Sequence, residues 1–194
     1  MVAKLESCPC ESAASEMKIT SRIAVLVGTI ILTLVWPSVS PLAAQRSLSA
    51  TEIYARVAPS IVFIETDTGQ GTGFIVSSEG LIATAWHVVA DADAVRVTLR
   101  TGDVYERVDL LAVDELRDIA LIRIPGFDLP TVVFGNSDET RVGESVFVIG
   151  NPLGFEVLRA SISDGVVSGI RELEAGYRAI QSTAAVFSGN SGGP

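Results

Sequence analysis

The apolar positions keep one rhythm over a short stretch and then change to another. From Thr51 to Ala58, Ile53, Tyr54 and Val57 recur at helical spacing, with Thr51 as the expected N-cap and Pro59 as the stop. From Ser60 onward the pattern is one of short strands separated by turn residues. Ser60–Thr66 is β-branched and apolar, and 67–71 reads as a loop. Gly73–Val76 and Leu81–Thr84 face each other across Ser77-Ser78-Glu79-Gly80 as a hairpin. Ala94–Leu99 alternates cleanly and meets Val104–Val108 across Thr101-Gly102-Asp103, and Asp109–Val113 and Ile119–Ile124 follow. Residues 125–130, Pro-Gly-Phe-Asp-Leu-Pro, are rich in breakers and read as a link between two halves. Beyond them, strands are expected at Val142–Gly150, Leu158–Ser163, Val166–Ile170 and Arg178–Thr183. Regular short strands with few helices predict an all-β sandwich or barrel.

Composition adds an export signal and removes some partners. Residues 23–36 are an apolar run preceded by Lys18 and Arg22 and followed by Pro41-Leu42-Ala43-Ala44. A positive region, an apolar region and small residues in that order describe a secretory signal cut near Ala44. The run is shorter than the ~20 residues that span a bilayer; the alternative is an uncleaved membrane tether through 23–36. Met17 offers a second start that gives a compact signal and leaves Cys8 and Cys10, the only cysteines, outside the protein. Hydrophobic residues make up 48% of the chain, enough for a core, and the net charge is −9. No lysine follows Lys18 and the arginines are scattered singly, so no basic stripe exists to follow a phosphate backbone. Nucleic acid is not an expected partner.

Elimination narrows the chemistry. Past the signal there is no thiol nucleophile and no lysine for a Ser–Lys dyad, and no glycine-rich loop ends in Gly-Lys-Ser/Thr. The single histidine, His87, excludes multi-histidine metal sites, and no metal or cofactor is expected. What remains is His87, just past an apolar strand, Asp118, directly before another, and Ser191 in Gly189-Asn190-Ser191-Gly192-Gly193-Pro194. Serine needs a base to take its proton, imidazole suits that task, and a carboxylate can fix the imidazole tautomer. Singly, each signal has a plain structural reading: a packed histidine at a strand end, a turn aspartate, a glycine-rich turn. Their order along an all-β chain of two halves is far more specific.

The segment from Pro59 to Pro194 resembles a trypsin-like serine protease domain, closest to the HtrA/Deg group. The resemblance is carried by Gly71-Thr72-Gly73-Phe74-Ile75, Gly80-Leu81-Ile82-Ala83-Thr84, His87-Val88-Val89 and Asp118-Ile119-Ala120-Leu121. It continues through Ile149-Gly150-Asn151-Pro152-Leu153-Gly154, Gly165-Val166-Val167-Ser168 and the final glycine-framed serine. It implies two six-stranded β-barrels, residues 45–127 forming the first and 128–194 the second, the latter incomplete at its C-terminus, behind the 1–44 signal or anchor. It also implies Ser191 as nucleophile, His87 as general base and then acid, and Asp118 as the orienting carboxylate. The oxyanion hole would be formed by Gly189 and Ser191 N–H groups with Asn190 shaping the loop, and Ala185 would floor the specificity pocket, favouring cleavage after small aliphatic residues. There are departures: Thr183 stands where the family often has Asp, and Phe187-Ser188 replaces an Asn-Pro pair, placing a large side chain near the cleft and loosening the loop.

The expected function is a serine endopeptidase of unfolded or damaged proteins, exported to the periplasm or secreted, with a homotrimer implied by the family. The alternatives are a non-catalytic peptide-binding or holding protein of the same fold, or an inactive fragment. Strands that complete the second barrel and a peptide-binding PDZ domain are expected beyond Pro194, so residues 45–194 alone are expected to be insoluble or inactive.

Overall fold

The structure is a computed structural model and describes residues 47–152, 160–173 and 176–194. The expected signal or tether of residues 1–44, with Met17, Cys8 and Cys10, lies outside the described residues, as does the start of the strand expected from Leu158.

The first helix, α1, spans Ala50–Val57 and is capped by Ser49, not by Thr51. Ser49 Oγ accepts the Glu52 N–H, and the Glu52 carboxylate accepts the Ser49 N–H in return at 2.8 Å. This reciprocal pair satisfies two donors that a helix start leaves open, and Thr51 then falls inside the first turn. A single 3-10 turn, Ala58–Ser60, leads into the sheet.

Seven strands follow: β1 (Ile61–Thr66), β2 (Gln70–Ser77), β3 (Leu81–Thr84), β4 (Val95–Leu99), β5 (Val104–Tyr105), β6 (Asp109–Asp114) and β7 (Ile119–Arg123). A four-residue helical turn, α2 (Trp86–Val89), interrupts them after β3. All seven belong to one antiparallel sheet in the order β5-β4-β1-β2-β3-β7-β6. Its two outer strands are consecutive in the chain and separated only by residues 106–108. So short a link holds the two ends close, and the sheet curls into a barrel. Val62, Ile64, Ile75, Ile82, Val97, Ile122 and Ile124 fill it, each at most 1% exposed. β1, an interior strand of the sheet, is buried over its first four residues, which explains its unbroken apolar run.

The second sheet has three described strands, β8 (Ser145–Gly150), β9 (Ser161–Glu172) and β10 (Arg178–Ser182), in the order β10-β9-β8. It is the incomplete partner of the first barrel. The expected separate strands at Leu158–Ser163 and Val166–Ile170 are one continuous β9 across the Asp164-Gly165 pair. Residues 128–132 run back along the first sheet: Leu129 N–H donates to Ser78 O and Val132 N–H to Ile75 O. Helix α1, in contrast, packs on the second sheet. Ile53, Tyr54 and Val57 cover Ile61, Ile149 and Ala160, and the Tyr54 hydroxyl donates to Ala160 O at 2.6 Å.

Candidate active site

Antiparallel register brings His87 and Asp118 together. β3 and β7 pair Thr84 with Ala120, so two residues beyond that pair Trp86 stands opposite Asp118. The ladder continues there, with Trp86 N–H donating to Asp118 O at 3.1 Å. The chain then turns into α2, which aims His87 back at the aspartate. Asp118 accepts twice, through different oxygens: Oδ1 from the His87 backbone N–H at 2.8 Å and Oδ2 from His87 Nδ1 at 2.6 Å. Its backbone lies in the left-handed region, φ 55°, and its N–H closes a turn onto Glu115 O at 3.3 Å. An aspartate tolerates that region better than most residues.

Burial pushes the Asp118 carboxyl up, but the His87 backbone and ring hydrogen bonds, the His87 charge and Trp86 together hold it below the usual carboxylate value. It is therefore ionised at neutral pH and able to fix the protonated nitrogen of His87 as Nδ1, leaving Nε2 as the free acceptor.

Ser191 reaches the same place from the other sheet. Its carbonyl accepts the Thr72 N–H at 2.8 Å, which docks the 189–194 loop on the start of β2. β2 pairs Gly73 with Thr84, so Thr72 is next to Ala85, the residue that caps α2. Gly192, at φ 82°, lies against Thr72 O, Thr84 Oγ1 and the Ala85 N–H; a Cβ there would stand only 2.6 Å from that nitrogen. Only glycine accommodates both the backbone and the approach. Among the described residues no hydrogen bond yet joins the Ser191 hydroxyl to His87. Such contacts often tighten only when substrate is bound.

The loop itself is held by buried polar groups. The Thr72 hydroxyl donates to Gly189 O at 2.7 Å and accepts the Asn151 N–H at 2.9 Å. Thr84 Oγ1 donates to Thr72 O at 2.7 Å. Asn151 reaches Val62 O through Nδ2 and accepts the Ala160 N–H through Oδ1. Thr72, Thr84 and Asn151 are all buried, so each bond is made away from water. None of the three was singled out as a functional residue from the sequence. All three lie within the resembling motifs, and for Thr72 the glycine on either side is the available signal.

Asn190 N–H is committed to Phe187 O at 3.0 Å, whereas the N–H groups of Gly189 and Ser191 have no acceptor among the described residues. Two donors without an acceptor among the described residues thus flank a committed one. Asn190 itself is buried against Gly150. Ala185 is exposed, and its carbonyl accepts the Ser163 hydroxyl at 2.6 Å, fixing 185 across β9. Thr183 takes up the Val166 N–H through Oγ1 and returns its own N–H to Val166 O, both at 3.0 Å. Phe187 is 59% exposed.

A family profile described as a trypsin-like peptidase domain matches residues 71–194. A probable periplasmic serine endoprotease, DegP-like, of Chlamydia muridarum is 41% identical over 134 residues, covering 67% of this chain and 26% of that protein. The mitochondrial serine protease HTRA2 of Bos taurus is 38% identical over 164 residues, covering 74% of this chain and 34% of that one. Among solved structures, the HtrA-type protease AlgW with tripeptide matches with a TM-score of 0.67 at 33% identity, over 75% of this chain and 50% of that chain. The chain thus spans between 26% and 34% of the length of these two curated relatives. With an aspartate–histidine pair on one sheet and a glycine-framed serine docked beside it from the other, the chain belongs to the trypsin-like peptidase family, in its HtrA group of serine proteases.

Proposed function

We propose that the protein is a serine endopeptidase that cleaves unfolded or damaged polypeptides outside the cytoplasm. The observation that carries this reading is the double hydrogen bond of Asp118 to His87, with the Ser191 loop docked one strand away. Ser191 Oγ attacks the substrate carbonyl while His87 Nε2 takes its proton. Asp118 holds the Nδ1 proton and stabilises the imidazolium, and the Gly189 and Ser191 N–H groups receive the oxyanion. His87 then returns the proton to the leaving amine, and water releases the acyl group by the same steps. No cofactor takes part.

Ala185 floors the pocket in this reading and brings no acid to meet Arg or Lys, so small aliphatic residues are the preferred cleavage site. Export is supported by the 23–36 apolar run and its small-residue flank, with tethering through that run as the alternative. Assembly as a homotrimer is proposed on the HtrA resemblance.

The test is a fluorophosphonate probe on the full-length protein together with hydrolysis of unfolded casein. Labelling and turnover that both vanish in Ser191→Ala support the reading. A Ser191→Ala protein that still labels has a different nucleophile. A peptide library cut preferentially after Arg would overturn the pocket assignment.

A further inference from the structure

Asp118 is well fixed on the side that faces His87 and poorly fixed on the other. The turn that delivers it, residues 115–118, is exposed, and the Leu116 side chain is 64% exposed, so no apolar packing holds it. The left-handed backbone of Asp118 adds a strain that its surroundings must offset. Within the turn, Arg117 pairs with Asp114 at 2.6 Å. On the side away from His87, one side chain among the described residues reaches it from outside. The Tyr177 hydroxyl donates to Leu116 O at 2.8 Å, and its ring lies under the Arg117 guanidinium, 5.2 Å from the ring centroid. A hydrogen bond and a cation–π contact thus converge on the two residues immediately before Asp118.

Tyr177 immediately precedes β10, in the connection from β9, so it belongs to the sheet that leads into the Ser191 loop. The neighbouring Arg178, the first residue of β10, bonds away from that turn, to Asp138 at 2.7 Å and to Ser137 O at 3.2 Å.

We propose that Tyr177 is a positioning residue for Asp118, acting through the Leu116 carbonyl and the Arg117 guanidinium to hold the carboxylate on His87. The proposal rests on Asp118 being the orienting acid of the proposed protease. Tyr177 touches no reacting atom. Its loss lets the turn relax, lengthens the Asp118–His87 bond and lowers the turnover rate without altering peptide binding.

The experiment compares Tyr177→Phe, Tyr177→Ala and Arg178→Ala in the full-length protein, reading peptide hydrolysis and the proton resonance of His87 Nδ1. The resonance is assigned to His87 by its disappearance in His87→Ala. Tyr177→Phe keeps the ring and loses the Leu116 bond, and kcat is expected to fall about threefold with KM unchanged. Tyr177→Ala loses both contacts and kcat is expected to fall about tenfold, since small misplacements of a catalytic group are costly. The His87 resonance moves upfield in the same order. Arg178→Ala keeps the wild-type resonance and a rate within about twofold, as befits an exposed ion pair.

Folded Tyr177→Phe and Tyr177→Ala proteins with the wild-type resonance overturn the proposal. If Tyr177→Ala does not fold, Tyr177→Phe decides. If the wild-type protein hydrolyses nothing, the proposed function fails, and the resonance alone still decides whether Tyr177 holds Asp118.

Discussion

Thr72 and Gly189, 117 residues apart, are joined by a buried hydrogen bond of 2.7 Å from the threonine hydroxyl to the glycine carbonyl. The same hydroxyl accepts the Asn151 N–H, so one side chain ties β2, the end of β8 and the serine loop together. Thr72→Val keeps the shape and removes both bonds, leaving a buried carbonyl and a buried N–H unpaired. The expected cost is about 1–3 kcal/mol, read as a lower urea midpoint, with slower fluorophosphonate labelling of Ser191. Thr72→Ser retains the hydroxyl and should keep most of both; equal losses in the two variants would mean that the methyl group matters as much as the hydroxyl.

Gly192→Ala combines a disfavoured backbone with a collision. The residue sits at φ 82°, and an added Cβ runs into Thr72 O, Thr84 Oγ1 and the Ala85 nitrogen. The backbone conformation alone costs about 1–3 kcal/mol for a non-glycine residue, and the loop must lift from β2 to relieve the rest. We expect a folded first barrel by circular dichroism and no labelling of Ser191. Normal labelling would show that the loop tolerates the shift.

Asp118 links stability to pH. Its carboxyl is held below its ordinary value, so the ionised form is favoured by folding. That contribution is complete above the unfolded carboxyl value of about 3.9 and is lost as pH falls through the lower folded value. Thermal unfolding from pH 6 downward should therefore show a fall in wild-type stability below about pH 4 that is smaller in Asp118→Asn. The carboxylate is 47% exposed, which limits its size. At neutral pH Asp118→Asn should lower kcat by about 10⁴, as the same change does in the chymotrypsin triad. Parallel pH profiles for the two proteins would remove Asp118 from the linkage.

Tyr54 tests the helix that crosses to the second sheet. Its hydroxyl donates to Ala160 O and accepts from Arg100 at 3.3 Å, and the Arg100 guanidinium also stands 5.6 Å from its ring centroid. Tyr54→Phe keeps the ring among Ile61, Ile149 and Ala160 and removes only the hydroxyl. A loss of about 0.5–1.5 kcal/mol is expected, measured by chemical denaturation. No loss would mean that water replaces the hydroxyl without penalty.

The residues that sit at strand ends were legible from the sequence, because a strand announces itself locally. His87 follows the Leu81–Thr84 run and Asp118 precedes the Ile119–Arg123 run, so their meeting needs only that the two strands pair. The Ser49-x-x-Glu52 cap is equally visible as a motif and outcompetes Thr51, which has no glutamate three residues on. Gly165 read as a break in a strand. The structure keeps β9 continuous and uses the missing side chain to let Ala184 cross the sheet. Other features had little local signature. Thr72 is marked only by the glycine on either side of it until the carbonyl of Gly189 arrives, and Tyr177 looks like a turn aromatic until its hydroxyl meets Leu116 O. Helix α1 shows an apolar face in its spacing, but not which sheet that face covers.

The bond from Thr72 to the serine loop also sets an order of events in time. Synthesis runs from the N-terminus, and the seven strands of the first barrel are complete by Arg123, whereas Ser191 is added 68 residues later. The docking surface on β2 and Ala85 can thus fold before the loop leaves the ribosome. In the proposed protease Ser191 is then added after the barrel that carries His87 and Asp118, so no hydrolytic centre is complete before that barrel has been made.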